Sequence, residues 1–451
     1  MRMEFLGKYG ECGTARSLPR KPRIAKSRIS FVTTPHFIPK CFPSVGNSNA
    51  NLPTKQMKLS RLLLPTLCAC AGAPFALAGP AVPITNLFNT GVNALGVPLT
   101  DNTPDIHYTF AVPPPTGSVP IVTTSAGGFP IGPWLGDNTT SAWLTPSFDT
   151  TGNVGNYTYR TTFTIPAGVD PSQVYVRGQL TSDNGTSGVL INGLSTGITG
   201  SGNFPAFDAP FTIAKGFVAG VNTLDFVVNE ATGQAGAGGF TGLRVEMGGA
   251  RGPAGHVSIP GLINTGVAVA EGAPLPEDSL DTHYVMAGAA SGAPFVTTSA
   301  GGFPIPPWVG DSQNSAWVTP APDTNGPDGD YFYSLIFDLT GLDPSTASIF
   351  GQWSVDNTGV DILLNGAPTG NANPNGFGGF TDFNISAAQG ALFSAGLNTL
   401  TFQVNNGAPP GPTGLRVDFL SATAAPLVPE PSSAWLLATG LGFFASRRRT
   451  R

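Results

Sequence analysis

The side chains able to do chemistry are few, and most come in matched pairs. Asp105-Ile-His107-Tyr108 and Asp281-Thr-His283-Tyr284 each place a carboxylate two residues from an imidazole. On a strand, that spacing puts both groups on one face, where the pair could orient a general base or help hold a metal. One Asp and one His are too few ligands for zinc, and no matched Ser or Cys nucleophile accompanies them. The pair therefore reads as structural. Gly193-Leu-Ser195-Thr-Gly197 fits a nucleophile elbow, which requires a strand before it and a helix after it. Its counterpart is Gly366-Ala-Pro368-Thr-Gly370 and Gly-rich loop follows both, so the match reads as coincidence. Asp323, Asn325, Asp328 and Asp330 gather oxygen donors of the kind calcium takes. The first counterpart has only Asp149, Asn153 and Asn156, so this reads as a solvated Asx-rich turn, with a structural calcium as the alternative. Nothing else asks for a cofactor, and no residue is assigned as catalytic. The remaining constellation is aromatic: Trp134, Asp137 and Trp143, repeated as Trp308, Asp311 and Trp317. Exposed rings there would stack on sugar faces while the Asp bonds hydroxyls, giving a weak ligand site. The other reading, preferred for Trp143 and Trp317 and left open for Trp134 and Trp308, is that the rings close one end of the fold from inside.

These pairs belong to an internal duplication. Thr123 to Ile131 recurs as Thr297 to Ile305, Asp183-Asn184 as Asp356-Asn357, Asn192-Gly193 as Asn365-Gly366, and Gly242 to Val245 as Gly414 to Val417. The register is kept throughout, with insertions confined to loops. Two copies of one domain are expected, at residues 84–248 and 259–421, joined by a Gly/Pro/Ala-rich linker at 249–258.

Each copy reads as antiparallel β. Tyr157 to Ile165 alternates strictly, with Tyr157, Tyr159, Phe163 and Ile165 on one face, and Tyr331, Tyr333, Leu335, Phe337 and Leu339 repeat that face. Further strands follow at 174–180, 189–192, 223–229 and 243–247, separated by turn residues. With 59 Gly and 43 Pro, a helical bundle is excluded. The expected fold class is all-β: two tandem jelly-roll sandwiches. The Trp-rich loop, aromatic strand, D-N and I-N-G landmarks and closing G-L-R strand resemble, by pattern more than identity, a galactose-binding-like jelly roll. That resemblance implies either a sugar-binding accessory module or a purely structural one.

Charge is segregated along the chain. Residues 1–56 carry ten Lys/Arg against two Glu, whereas residues 79–428 carry six basic side chains against 24 acidic ones. The acidic part repels phosphate backbones, which excludes nucleic acid as a partner. Met57 opens a secretory signal at 57–78, with basic Lys58 and Arg61, an apolar run to Phe75, and an Ala76-Leu77-Ala78 box that puts the cut between Ala78 and Gly79. The 56 residues ahead read as a spurious or disordered leader. All four cysteines precede the cut, so the exported form is expected to carry no disulfide.

Residues 428–451 form a second address. Val428-Pro429-Glu430-Pro431 precedes a short apolar stretch, Ala434 to Ser446, and then Arg447-Arg448-Arg449. The stretch falls short of the ~20 residues that span a bilayer comfortably, and the arginines would hold its cytoplasmic side. This closely resembles the PEP-CTERM sorting signal of Gram-negative bacteria. The resemblance implies a short transmembrane sorting helix inserted transiently, recognition by an exosortase-type membrane protease, and export to the envelope, surface or exopolysaccharide layer. The expected function is that of a non-enzymatic matrix or adhesion protein with weak carbohydrate binding. A secreted glycan hydrolase or an inert spacer are the alternatives.

Overall fold

A computed structural model describes residues 81–427 apart from 113, 115, 116, 232–238 and 271. The signal segment with Ala78 and Gly79, and the tail carrying Pro429, Glu430, Pro431 and Arg447 to Arg449, lie outside the described residues.

The first repeat is built from β1 (Tyr108–Phe110), β2 (Ile121–Thr123), β3 (Trp143–Thr145), β4 (Gly155–Ile165), β5 (Val174–Asp183), β6 (Gly185–Ile191), β7 (Leu194–Ser195), β8 (Phe211–Ile213), β9 (Gly220–Glu230) and β10 (Gly242–Arg251). The second repeats them as β11 (Val285–Gly288), β12 (Phe295–Thr297), β13 (Trp317–Thr319), β14 (Gly329–Asp338), β15 (Ser348–Asp356), β16 (Thr358–Leu364), β17 (Ala367–Pro368), β18 (Thr381–Ser386), β19 (Leu397–Asn406) and β20 (Gly414–Ala424). One sheet of the first repeat runs β8-β5-β10-β3-β2 and the other β1-β4-β9-β6-β7; the second repeat runs β18-β15-β20-β13-β12 and β11-β14-β19-β16-β17. All pairings between these strands are antiparallel. The fold is therefore all-β, two tandem sandwiches.

Alternation explains why each sheet buries one face. In β4 the inward residues Tyr157, Tyr159, Phe163 and Ile165 are buried while Thr162 and Thr164 face water. They meet Val174, Val176 and Leu180 of β5 and Leu243 and Val245 of β10 across the sandwich. The second core repeats this with Tyr331, Tyr333, Ile349, Trp353, Leu415 and Val417. Asn192-Gly193 and Asn365-Gly366 both adopt positive φ, the geometry an Asn-Gly hairpin turn requires. Among the described residues the only helices are short 3-10 turns, and no helix is long and apolar enough to cross a membrane.

The strands run beyond the expected repeat boundaries. β10 continues to Arg251 and Val257-Ser258 already pairs with β20, leaving a connection of only residues 252–256. The two sandwiches also touch through the outer faces of β5 and β15. Tyr175 stacks on Phe350 at 5.4 Å, in a buried cluster with Ala250 and Leu420. Arg177 pairs with Asp382 at 2.7 Å, and the Ala422 amide donates to Gln173.

Candidate functional site

The loops at 127–143 and 301–317, the candidate ligand-binding segments, are held by their own side chains. Trp134 and Trp308 are each 3% exposed, and Trp143 and Trp317 are fully buried. The two indoles of each repeat pack at 4.4 and 4.3 Å. Trp134 Nε1 donates to Asp183 and Trp308 Nε1 to Asp356, both at 2.8 Å. Trp143 and Trp317 donate to the carbonyls of Leu135 and Val309. No indole face is left for a sugar: the inward reading preferred for Trp143 and Trp317 extends to Trp134 and Trp308, and stacking on these four rings is set aside. The physical reason is that each loop folds over the sheet end, where burying a large aromatic with its N–H satisfied gains more than exposing it.

The acidic member of each constellation is also engaged. Asp137 accepts from the backbone and hydroxyl of Ser125, and Asp311 does the same for Ser299. These bonds tie a 3-10 turn to the Trp loop. The Gly-Gly pair supplies fit, not looseness. A Cβ on Gly127 would lie 2.7 Å from Asp101 Oδ2, and Gly128 has φ +83°.

Beneath the loop lies a buried arginine in each repeat. Arg244 donates to Ser141 Oγ at 2.7 Å and to the Gly136 carbonyl at 2.8 Å. Arg416 repeats this with Ser315 at 2.8 Å and Gly310 at 2.6 Å. Phe207 and Phe380 cover the guanidinium groups at 5.5 and 5.2 Å. Both arginines point to the outside of β10 and β20 and were visible in the sequence only as the third letter of a repeated G-L-R-V.

The neighbouring carboxylate differs between repeats. Glu246 accepts from Asn138, Thr140, Ser141 and Gln179, whereas Asp418 accepts from Gln352. Burial pushes the Glu246 carboxyl up, but its donors outweigh burial and hold it below the usual value of 4.5. Because its folded value is depressed, its stabilisation is present above 4.5 and is lost as pH falls through the folded value. The thermal midpoint of the first repeat should therefore fall by a few degrees between about pH 5 and 3. Glu246→Gln should flatten that slope relative to the unsubstituted protein; equal slopes in the two proteins would remove Glu246 from the network.

Asp105 accepts from the amides of Gly91, His107 and Tyr108, while His107 stacks on Phe88 at 3.7 Å. Asp281 likewise accepts from Gly266 and His283. Both carboxylates close turns. Ser195 lies in a hairpin strand paired to Leu190, with no helix after it. The proposed calcium ligands do not converge: Asp323 closes a turn on Asn325, while Asp330 sits in β14 and is taken up by Asn405 and Gln403. Among the described residues no group of three or more His, Cys, Asp or Glu could hold a metal ion. The segment is the Asx-rich turn its composition favoured, with Asp323 accepting from the Asn325 amide.

For the hydrolase alternative, the notable carboxylates are Asp183 and Glu230. Both are buried, and burial first, then the Glu230 charge, pushes Asp183 up. The second repeat has Asp356 and Asn406 there. What these loops do present is Phe129 and Phe303, 63% and 73% exposed at equivalent tips. Phe129 rests edge-on against Phe240 at 4.7 Å. Their signal was the shared Gly-Gly-Phe-Pro, read in the sequence as loop alone.

Residues 427–449 match the PEP-CTERM protein-sorting motif. The motif marks the chain for export to the envelope or surface of a Gram-negative bacterium, with processing by an exosortase at the membrane. No curated protein matches the chain in sequence. Among solved structures, it is similar to the apo form of a Pleurotus ostreatus lectin at 12% identity and a TM-score of 0.27, covering 74% of this chain and 90% of that one. It is similar also to the tandem CBM51 modules of a family 98 glycoside hydrolase from Streptococcus pneumoniae, at 8% identity and a TM-score of 0.19, covering 76% and 99%. A third similarity is to β-glucuronidase 2 of Bacteroides uniformis, at 14% identity and a TM-score of 0.20, covering 70% of this chain but 31% of the enzyme. At these scores the likeness says nothing of ligand or activity.

Proposed function

We propose that this chain is a surface-held component of an exopolysaccharide layer, working as a matrix or adhesion protein without catalysis of its own. The observation that carries the reading is the sorting motif at 427–449, placed directly behind the paired sandwiches. A duplicated scaffold whose loops are clamped by Trp, Asp and Arg suits a module that presents fixed surfaces. The contacts fall to Phe129 and Phe303, because these rings stand out from otherwise rigid tips. A ring stacked on a sugar face contributes on the order of 1 kcal/mol beyond area burial, so each tip alone is weak. Two tips on one chain gain by avidity against a polymer.

Replacing Phe129 and Phe303 together with Ser should shift the exported protein from the cell-bound polysaccharide to the medium, by about fivefold or more. The thermal midpoint should fall by no more than a few degrees, because both rings are mostly exposed and the substitution removes only the edge contact of Phe129 with Phe240. Undiminished retention of the double variant would remove these tips from the adhesive surface.

A further inference from the structure

Each sandwich has one open side, where the edges of its two sheets leave a cleft, and the duplication shows the same cleft twice. In the first repeat it lies between the β6–β7 hairpin and β8, lined by Ile191, Ser195, Thr212 and Ile213. In the second it lies between the β16–β17 hairpin and β18, lined by the equivalent Leu364, Pro368, Asn384 and Ile385. The two have diverged in opposite directions. A loop of the second repeat, carrying Gln313 and Asn314, forms part of the wall of the first cleft. Lys215 donates to the Gln313 carbonyl there, and the Asn314 amide reaches the Thr212 carbonyl. That cleft measures about 240 Å³. Among the described residues no such loop walls the second, which measures about 410 Å³, inside the roughly 300–1,000 Å³ of ligand clefts.

The second cleft has also acquired a polar rim. Thr212 is replaced by Asn384 and Ile198 by Asn371. Between Ser386 and Gly390 an inserted 3-10 turn, Ala387–Gln389, brings in Gln389, whose side-chain carbonyl accepts from Ser386. Asn371 satisfies the free edge of β18, its Oδ1 accepting from the Asn384 backbone N–H and its Nδ2 donating to the Asn384 carbonyl, and Nδ2 also donates to Thr369 Oγ1. Asn384 Oδ1 is buried at the cleft wall and finds no hydrogen-bond partner among the described residues, a state that calls for an explanation in a native fold and that a small rotation of the half-buried side chain toward a cleft ligand would relieve. The floor is apolar, with Leu364, Ile385 and Ala391, and among the described residues no charged side chain lines the cleft.

We infer that the cleft between β17 and β18 is a binding site for a short neutral saccharide, one site per chain. Amide groups match hydroxyls as both donors and acceptors, an apolar floor suits the C–H face of a ring, and the uncharged lining gives no foothold to an anionic ligand. The choice of a saccharide over another neutral polar ligand rests on the function proposed above.

Full-length exported protein labelled with nitrogen-15 should be titrated with maltotetraose, cellotetraose and a trigalacturonate control. The expected result is amide shifts confined to residues 364–371 and 384–392 with a neutral oligosaccharide, at an affinity of about millimolar, and none with the trigalacturonate. Asn384→Leu with Gln389→Leu should weaken binding about tenfold, while Thr212→Leu in the first repeat should leave it unchanged. Gln389 is exposed, so Gln389→Ala alone tests the site should the double variant fail to fold. Absence of shifts, shifts confined to 127–129 and 301–303, equal binding of trigalacturonate, or indifference to the Gln389 change would each overturn the site. Such a failure alongside Phe129- and Phe303-dependent retention would leave the proposed function standing without this cleft.

Discussion

Trp308→Ala should destabilise the second sandwich by about 3–5 kcal/mol, and Trp134→Ala should do the same to the first. Each substitution removes a buried indole from its Trp partner and leaves the carboxylate of Asp356 or Asp183 without its 2.8 Å donor. Both carboxyls are already pushed above the usual range, chiefly by burial, so the loss falls on groups that are costly to leave unpaired. A drop in the thermal midpoint of about 10 °C is the expected scale for a repeat of this size. Circular dichroism melts of the two single variants measure it. A midpoint within a degree or two of the parent, with polysaccharide retention lost, would return these rings to a binding role and contradict their burial.

The contrast between these tryptophans and the rest of the fold shows where sequence reading works. Tyr157, Tyr159, Phe163 and Ile165 could be placed inside because a strand repeats every two residues and one face must be buried. The Asn-Gly turns were legible because few residues other than Asn and Gly accept positive φ. Trp134 and Trp308 lie in segments with no period, so their burial depends on tertiary partners, Asp183 and Asp356, nearly fifty residues away. Arg244 and Arg416 occupy outward strand positions that alternation assigns to solvent, and loop closure overrides that assignment. Tyr175 and Phe350 were hidden for a related reason: each faces outward from its own sandwich and is buried only by the other. The edge cleft left one trace in the sequence, an offset between the repeats that rises from 172 at Phe211 and Phe383 to 176 at Asn222 and Asn398. An insertion beside an otherwise preserved register marks a loop that has been rebuilt.

The second large effect is expected in the tail. Glu430→Ala with Pro431→Ala removes two side chains from the centre of the Pro-Glu-Pro element within the matched motif. Without it, the short apolar stretch and its arginines should still enter the membrane, with Arg447 to Arg449 on the cytoplasmic side. The processing step that frees the chain should then fail. The variant is expected to accumulate in the inner membrane with its tail intact, and its release to the surface should fall at least tenfold, a block at one obligatory step.

The most direct measurement is the intact mass of the protein recovered from the cell surface of its own host, beside that of the Glu430→Ala, Pro431→Ala variant from the membrane fraction. The surface form should start at Gly79 and lack the Arg447 to Arg449 end, and the membrane-bound variant should retain it. A surface form still carrying Arg449, or a variant released with the same mass and yield as the parent, would contradict export through the sorting motif.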